Sequence, residues 1–226
     1  MIITIQRMLR APTLFHFQTQ QDFLQEYIED CDVLLENLLL FEARNADPAC
    51  CECSRYPGLV RCQDCFHSPV FCMDCIQKTH IHLPFHNIDK WNGKYFQKSS
   101  LHALDYVLCL GHDGCICPHA QSSPGFDTSM VIIHVNGIFT HQIQWCACPN
   151  ASAPYLQLFE AGLFASSFKQ PQTAFSFDLL DYYYIDSMEC KTAAMSFCQK
   201  LTRLTSNAFP SEVKVSRRIL FRILCS

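Results

Sequence analysis

Three cysteine pairs and one histidine pair, all within residues 50–86, constrain the fold of this chain more than any other feature of its sequence. The pairs are Cys50-x2-Cys53, Cys62-x2-Cys65, Cys72-x2-Cys75 and finally His80 with His86. A C-x2-C step turns the backbone so that two thiolates face one point, which is half of a tetrahedral metal site. Four such pairs therefore predict two metal ions.

Disulfides and a catalytic thiol are the competing explanations of these cysteines. The N-terminus has no long apolar run of the secretory type, and no stretch approaches the roughly 20 apolar residues of a membrane helix. We therefore expect a nuclear or cytoplasmic protein that is not secreted, in a reducing compartment where paired cysteines more often hold metal. A catalytic thiol needs one activated cysteine with its base, whereas these cysteines form a series of closely spaced pairs. Thiolate and imidazole ligands favour Zn²⁺, so we predict zinc and no enzyme activity.

The order of the pairs predicts how they share the two ions. Three cysteine pairs followed by a histidine pair is the order of B-box and ZZ modules and differs from the RING order, which favours a cross-brace over consecutive pairs sharing an ion. One site is then all-thiolate (Cys50, Cys53, Cys72, Cys75) and the other mixed (Cys62, Cys65, His80, His86). Two alternatives stay open, because Cys51 competes with Cys50 and His82 competes with His80.

A second group of ligand-type residues follows between positions 109 and 149. Met130 to Val135 is rich in β-branched residues, Asn136-Gly137 is a two-residue turn signal, and apolar residues alternate after it, which together predict a β-hairpin. Its second strand leads to Cys146 and Cys148. The nearest candidate partners of these two thiolates are His112, Cys115, Cys117 and His141. We predict a third zinc site held by His112, Cys117, Cys146 and Cys148. The alternative is that these cysteines are small core residues.

The expected fold class is α+β, with a cross-brace, B-box-like or ZZ-like zinc module followed by a small mixed domain that contains a hairpin and helices. Residues 1–47 form an N-terminal segment with an amphipathic helix over 21–44, capped by Thr19 and packed on its own domain. Residues 48–91 are the two-zinc cluster. Residues 92–210 contain the predicted hairpin and the third zinc site. The same region is predicted to contain helices near 153–163, 177–184 and 192–204 and a strand near 173–177. We expect residues 211–226 to form a basic and apolar tail that is truncated.

Several motifs together resemble the CxC-type cysteine cluster domain associated with fungal KDZ transposases. They are RCQDCFHSPVFCMDC, HIHLPFHNIDKWNG, LGHDG, VNGI, WCAC and LFASSFKQPQTAFSF, and the likeness runs from about Phe23 to about Asn207. The resemblance supports His80 and His86 as the histidine pair, and also the third ligand set. Phe139 and Ala165 stand where the family commonly has histidine and proline. In the family an RNase H-like catalytic core normally follows this domain, and we expect no room for it after Ser226. The resemblance therefore implies a non-catalytic accessory domain.

The charge of the chain bears on its partners. The formal net charge is −4, and thiolates bound to three zinc ions would bring it to about −7, which opposes DNA. We therefore expect a protein or chromatin partner, with neither a membrane nor a small-molecule substrate. A DNA-binding zinc module is the first alternative, detectable as a salt-dependent shift of duplex DNA. A ubiquitin-ligase-like role is the second, detectable by autoubiquitination.

Overall fold

The computed structural model describes residues 19–43, 48–119 and 129–213, which fall into two compact units, Met1–Asn45 and Ala46–Ser226. The start of the predicted N-terminal segment, and the predicted tail from residue 214 onward, lie outside the described residues. The described chain is a mixture of helices and two β-sheets. None of its described helices is long and apolar enough to cross a membrane.

The first unit contains two helices, α1 (Gln20–Glu29) and α2 (Cys31–Glu42). The predicted cap is confirmed, because the Thr19 hydroxyl accepts from the Asp22 N–H and the Asp22 carboxylate accepts from the Thr19 N–H at 2.7 Å. The single helix predicted over 21–44 is wrong, since Asp30 leaves helical geometry and ends α1. No side chain of either helix is buried, so the expected packing of this segment on its own domain is not seen in the described residues.

The second unit begins with a four-stranded antiparallel sheet. Its elements are β1 (Val60–Cys62), β2 (Val70–Phe71), α3 (Met73–Thr79), β3 (Ile88–Trp91) and β4 (Phe96–Ser99), with strand order β2-β1-β3-β4. Three of the predicted ligands lie at the ends of these elements. Cys62 ends β1, Cys72 is the N-cap of α3, and His80 is its C-cap.

A five-stranded sheet follows, with strand order β5-β7-β6-β9-β8. Its strands are β5 (Val107–Cys109), β6 (Ser129–His134), β7 (Gly137–Gln144), β8 (Leu163–Ala165) and β9 (Thr173–Ser176). One-turn 3₁₀ segments lie at His102–Leu104, His112–Gly114 and Pro210–Glu212. The pairs β5–β7 and β6–β9 are parallel, and the other neighbours are antiparallel.

The predicted hairpin is β6–β7, but its turn is shifted by one residue. His134 pairs with Gly137, so the two turn residues are Val135 and Asn136, and Gly137 opens β7. Gly137 has φ +139°, and a Cβ there would lie 3.0 Å from the Thr205 hydroxyl, which accepts a hydrogen bond from the Ile138 N–H at 2.8 Å. The glycine is therefore required by the close approach of a helix.

Three helices complete the second unit: α4 (Pro154–Glu160), α5 (Phe177–Glu189) and α6 (Ala194–Thr205). α5 is capped by the Ser176 hydroxyl and runs beyond its predicted end, whereas α6 lies close to its prediction. Pro154 at the first position of α4 suits a residue that lacks an N–H.

One hydrophobic core connects the two sheets. It runs without interruption from Val60, Ile76 and Ile88 of the first sheet region to Ile132 and Ile143 of the second. A smaller cluster packs β6 and β9 against α5 and α6. The cysteine-rich region and the hairpin region therefore share a common interior within the unit Ala46–Ser226.

Candidate metal centres

The first candidate centre joins the first and third cysteine pairs. The sulfur atoms of Cys50, Cys53, Cys72 and Cys75 all lie within 4.8 Å of one another. The Cys50–Cys53 knuckle is closed by the Ser54 N–H, which donates to the Cys50 carbonyl at 2.9 Å. Cys50 is buried within the group, whereas Cys51 is exposed and lies outside it. The structure thus separates the two residues that the spacing left in competition.

The thiols of this centre have opposed protonation tendencies. Burial raises the pKa of Cys50, but N–H donors at Cys53, Cys72 and Glu52 outweigh burial and lower the pKa to about 6. The pKa of Cys75 is raised, first by its hydrogen bond with the Cys72 thiol and then by burial. Thiolates crowded this closely repel one another, so a bound cation is what would let all four ionise.

The second candidate centre joins the second cysteine pair to the histidine pair. Cys62, Cys65, His80 and His86 form one group, in which the Cys65 sulfur lies 3.5 Å from His80 Nε2 and 3.5 Å from His86 Nδ1. The Cys62 sulfur lies 3.4 Å from His86 Nδ1. His82 is exposed and lies outside the group. The two histidines therefore present different ring nitrogens to the same point.

Thr79 orients His80. The Thr79 hydroxyl oxygen lies 3.0 Å from His80 Nδ1, and the same hydroxyl donates to the Cys75 carbonyl at 2.9 Å. The hydroxyl oxygen can therefore accept a hydrogen bond from Nδ1–H, and this tautomer leaves the lone pair of Nε2 toward Cys65. Burial, followed by the charge of His86, lowers the pKa of His80 and favours this neutral ring. Burial also raises the pKa of Cys62 to about 12.

The third candidate centre lies beside the second sheet. It consists of His112, Cys117, Cys146 and Cys148, and His112 Nε2 lies 3.3 Å and 3.4 Å from the sulfurs of Cys146 and Cys148. The Cys117 sulfur accepts from the backbone N–H groups of Ala147 and His119, at 3.5 Å and 3.4 Å. The Ala147 N–H is the largest influence that lowers the pKa of Cys117, to about 6. The hydrogen bond with the Cys146 thiol raises the pKa of Cys148 to about 11.

The loop that carries His112 has an unusual backbone. Gly111, His112, Asp113 and Gly114 all have φ between +50° and +81°. Such angles are unfavourable for residues with a side chain, which explains the glycines at both ends of the run. A Cβ on Gly111 would lie 3.3 Å from the Cβ of Cys146. The LGHDG motif therefore lets the backbone pass close to the cysteine that shares a centre with His112.

Gln157, a residue that the sequence did not single out, holds the Cys146 backbone in place. Its side-chain oxygen accepts from the Cys146 N–H at 2.9 Å, and its side-chain nitrogen donates to the carbonyls of Cys146 and Ser152 at 3.1 Å and 2.8 Å. The side chain is buried. No motif points to this role, because the partner atoms belong to the backbone of residues that are distant in sequence.

The donor sets fit metal binding. Each centre offers four Cys or His atoms, the ligands and the number that closed structural zinc sites use. Cys115, an alternative considered for the third centre, is exposed and lies outside the group. Within 19–43, 48–119 and 129–213, no further cluster of three Cys, His, Asp or Glu side chains comes together in this way.

Comparison with known proteins supports the resemblance seen in the sequence over residues 101–209. A family model described as a CxC2 like cysteine cluster associated with KDZ transposases matches residues 101–209. No curated protein and no solved structure matches the chain. The matched residues contain the third centre and the five-stranded sheet, and the first two centres precede them. Residues 101–209 are therefore similar to the CxC2 like cysteine cluster associated with KDZ transposases.

Proposed function

We propose that this chain is a non-catalytic zinc-binding accessory module of a KDZ-type transposase, and that it mediates contact with a protein or chromatin partner. The observation that carries the proposal is the meeting of twelve Cys and His side chains in three sets of four. A zinc ion with four protein ligands has no open position for water or substrate, which is typical of structural sites. The family match supports the link to KDZ transposases.

In this proposal the first two zinc ions form a cross-brace. The first and third ligand pairs would hold one ion through four thiolates, and the second and fourth pairs would hold the other through two thiolates and two imidazoles. Each ion then joins loops that are apart in sequence. Structural zinc contributes on the order of 10 kcal/mol per site in small domains. That is comparable to the whole stability of a domain, so the metal would be needed for folding.

Charge favours a protein partner over DNA in this proposal. Residues 48–119 carry six acidic and six basic side chains, and residues 129–213 carry six acidic and four basic side chains. The buried Arg61 is paired with the Asp89 carboxylate at 3.2 Å, so its charge is engaged inside the fold. Phosphate binding depends on clustered Lys and Arg that neutralise several phosphates at once. Because acidic side chains are at least as numerous as basic ones in both ranges, these residues offer little such clustering of Lys and Arg.

Elemental analysis of the purified chain, prepared without added metal, tests the proposal. We expect three zinc ions per chain. Two zinc ions would show that one of the three centres holds no metal, and none would reject the proposal. A parallel titration with duplex DNA at about 50 mM and about 200 mM salt tests the alternative, because a DNA-binding module would show affinity that falls steeply between these concentrations.

A further inference from the structure

The two helices of the first unit expose an unusual number of large apolar side chains. Eleven of these side chains are exposed, and none is buried: Phe23, Leu24, Tyr27, Ile28, Val33, Leu34, Leu35, Leu38, Leu39, Leu40 and Phe41. Helices of ten and twelve residues are marginal in water without tertiary packing. An exposed apolar surface of this kind usually marks a binding site.

The distribution of these side chains differs between the two helices. At 100° per residue, the apolar residues of α1 lie on one side and its acidic residues Asp22, Glu26 and Glu29 lie on the other. The apolar residues of α2 surround most of its circumference, and Asp32 and Glu36 share the remaining strip. A helix that is apolar on nearly all sides is normally buried. A partner that covers the surface of α2 would therefore stabilise it.

Charge selects the kind of partner. Residues 19–43 contain seven acidic side chains and no basic one. A second copy of the chain would bring the same seven charges against them, and an anionic lipid surface would also be repelled. A helix with a leucine-rich face and a border of Lys or Arg would instead bury the apolar side chains and pair with the acidic ones.

We propose that α1 and α2 form a docking surface for a basic amphipathic helix of a partner protein. This inference rests on the interaction role proposed above, and it names a surface for that role that lies outside the metal centres. The acidic strips give selectivity and the speed of encounter, and the leucines give most of the affinity. Binding is therefore expected to weaken with salt and to be lost when the leucines are removed.

A labelled peptide of about 15 residues, built from Leu and Lys with an amphipathic helical pattern, is the probe. Its fluorescence anisotropy is measured with the full zinc-loaded chain, beside a matched peptide in which Glu replaces Lys. The Lys peptide should bind, and the Glu peptide should not. Leu35→Ser with Leu38→Ser should weaken the Lys peptide on the order of tenfold or more.

A control double variant tests whether exposed apolar side chains elsewhere in the chain would bind the peptide equally well. Ile185 on α5 is 58% exposed, as is Leu38, and Tyr184 beside it is also exposed. Tyr184→Ser with Ile185→Ser should leave peptide affinity unchanged. Asp32→Lys with Glu36→Lys preserves helix propensity, and it should weaken the Lys peptide and let the Glu peptide bind.

Equal binding of the Lys peptide to the wild type and to the leucine variant would overturn the inference, as would equal binding of both peptides. Sedimentation that shows a dimer abolished by the leucine variant would assign the surface to a second copy. Binding to neutral lipid vesicles that is lost in the same variant would assign it to a membrane. Both results also overturn the inference. Because these variants leave the twelve Cys and His ligands intact, the zinc content reports on the proposed function separately.

Discussion

The side-chain amide of Asn136 lies 3.5 Å from the carboxylate of Asp64, although 72 residues separate them in the chain. Asn136 is in the β6–β7 turn, and Asp64 is inside the knuckle between Cys62 and Cys65. The same amide donates to the Phe85 carbonyl at 3.4 Å, one residue before His86. The hairpin of the family-matched region is therefore tied directly to the second metal centre.

Replacing Asp64 should destabilise this connection. Its carboxylate also accepts from the backbone N–H and the side chain of Asn87, at 2.6 Å and 3.0 Å. Asp64→Ala should lower the free energy of unfolding by about 1–3 kcal/mol in denaturant titrations of the zinc-loaded protein. Asp181→Ala, at an exposed position on α5, should change it by less than about 0.5 kcal/mol. Equal effects of the two variants would contradict the assigned role.

Matched ligand variants should distinguish the competing ligands. Cys50→Ser and His80→Asn should each reduce the zinc content from three ions per chain to two or fewer, because each removes one donor from a set of four. Cys51→Ser and His82→Asn alter exposed neighbours outside the groups and should retain three. The measurement is zinc per chain after gel filtration. Zinc loss in Cys51→Ser with retention in Cys50→Ser would reverse the assignment of that knuckle.

Gln157→Leu should weaken the third centre without removing a ligand. The variant keeps the volume of the side chain but loses all three hydrogen bonds that hold the Cys146 backbone and the loop after it. Loss of a group that orients a ligand typically costs 10–100-fold in metal affinity, roughly the effect expected here. Competition with a chromophoric chelator measures this affinity. Gln199→Leu, at an exposed position on α6, is the control and should match the wild type.

Chelation should unfold the second unit, and tryptophan fluorescence should report it. The chain has two tryptophans, and Trp145 is buried beside Cys146 of the third centre. In the variant Trp91→Phe the emission comes from Trp145 alone. Exhaustive chelation should shift this emission to the red and expose the chain to protease, because structural zinc in small domains contributes on the order of 10 kcal/mol per site. An unchanged spectrum and unchanged protease resistance after complete metal removal would exclude a structural role for the metal.

His141 should make the folded state sensitive to mild acid. It is buried between the rings of Phe85, Tyr106 and Phe139, and burial, followed by the charge of His102, lowers its pKa from 6.5 to about 4. Between these two values the unfolded chain binds a proton that the folded chain does not. Stability is therefore lost as the pH falls, by about 2 kcal/mol at about pH 5.

The variant His141→Phe isolates this contribution. Wild type and variant keep the same twelve ligands, so any loss of zinc in acid affects both alike. The free energy of unfolding at about pH 7 and about pH 5 is compared between them. The wild type should lose about 2 kcal/mol more than the variant over this interval. Equal losses would show that His141 does not titrate on unfolding.

Features that depend on neighbours in sequence were predicted well. The Thr19 cap, the hairpin and the start of α6 follow from patterns spanning a few residues. The break at Asp30 and the turn at Val135 and Asn136 were missed. In the second case the Asn-Gly signal was overridden, because Thr205 on a distant helix requires a glycine at the first position of β7.

The sequence by itself determined which side chains can take part in metal binding, because a C-x2-C knuckle, with two residues between its cysteines, is fixed by a local backbone turn. The order of the pairs also predicted the sets that the structure brings together, but only the tertiary structure decided between the alternatives that spacing left open. It brought His112 to Cys146, excluded Cys51 and His82, placed Gln157 behind the third centre and joined both sheets through one core. These arrangements depend on packing between segments far apart in the chain, which local spacing does not encode.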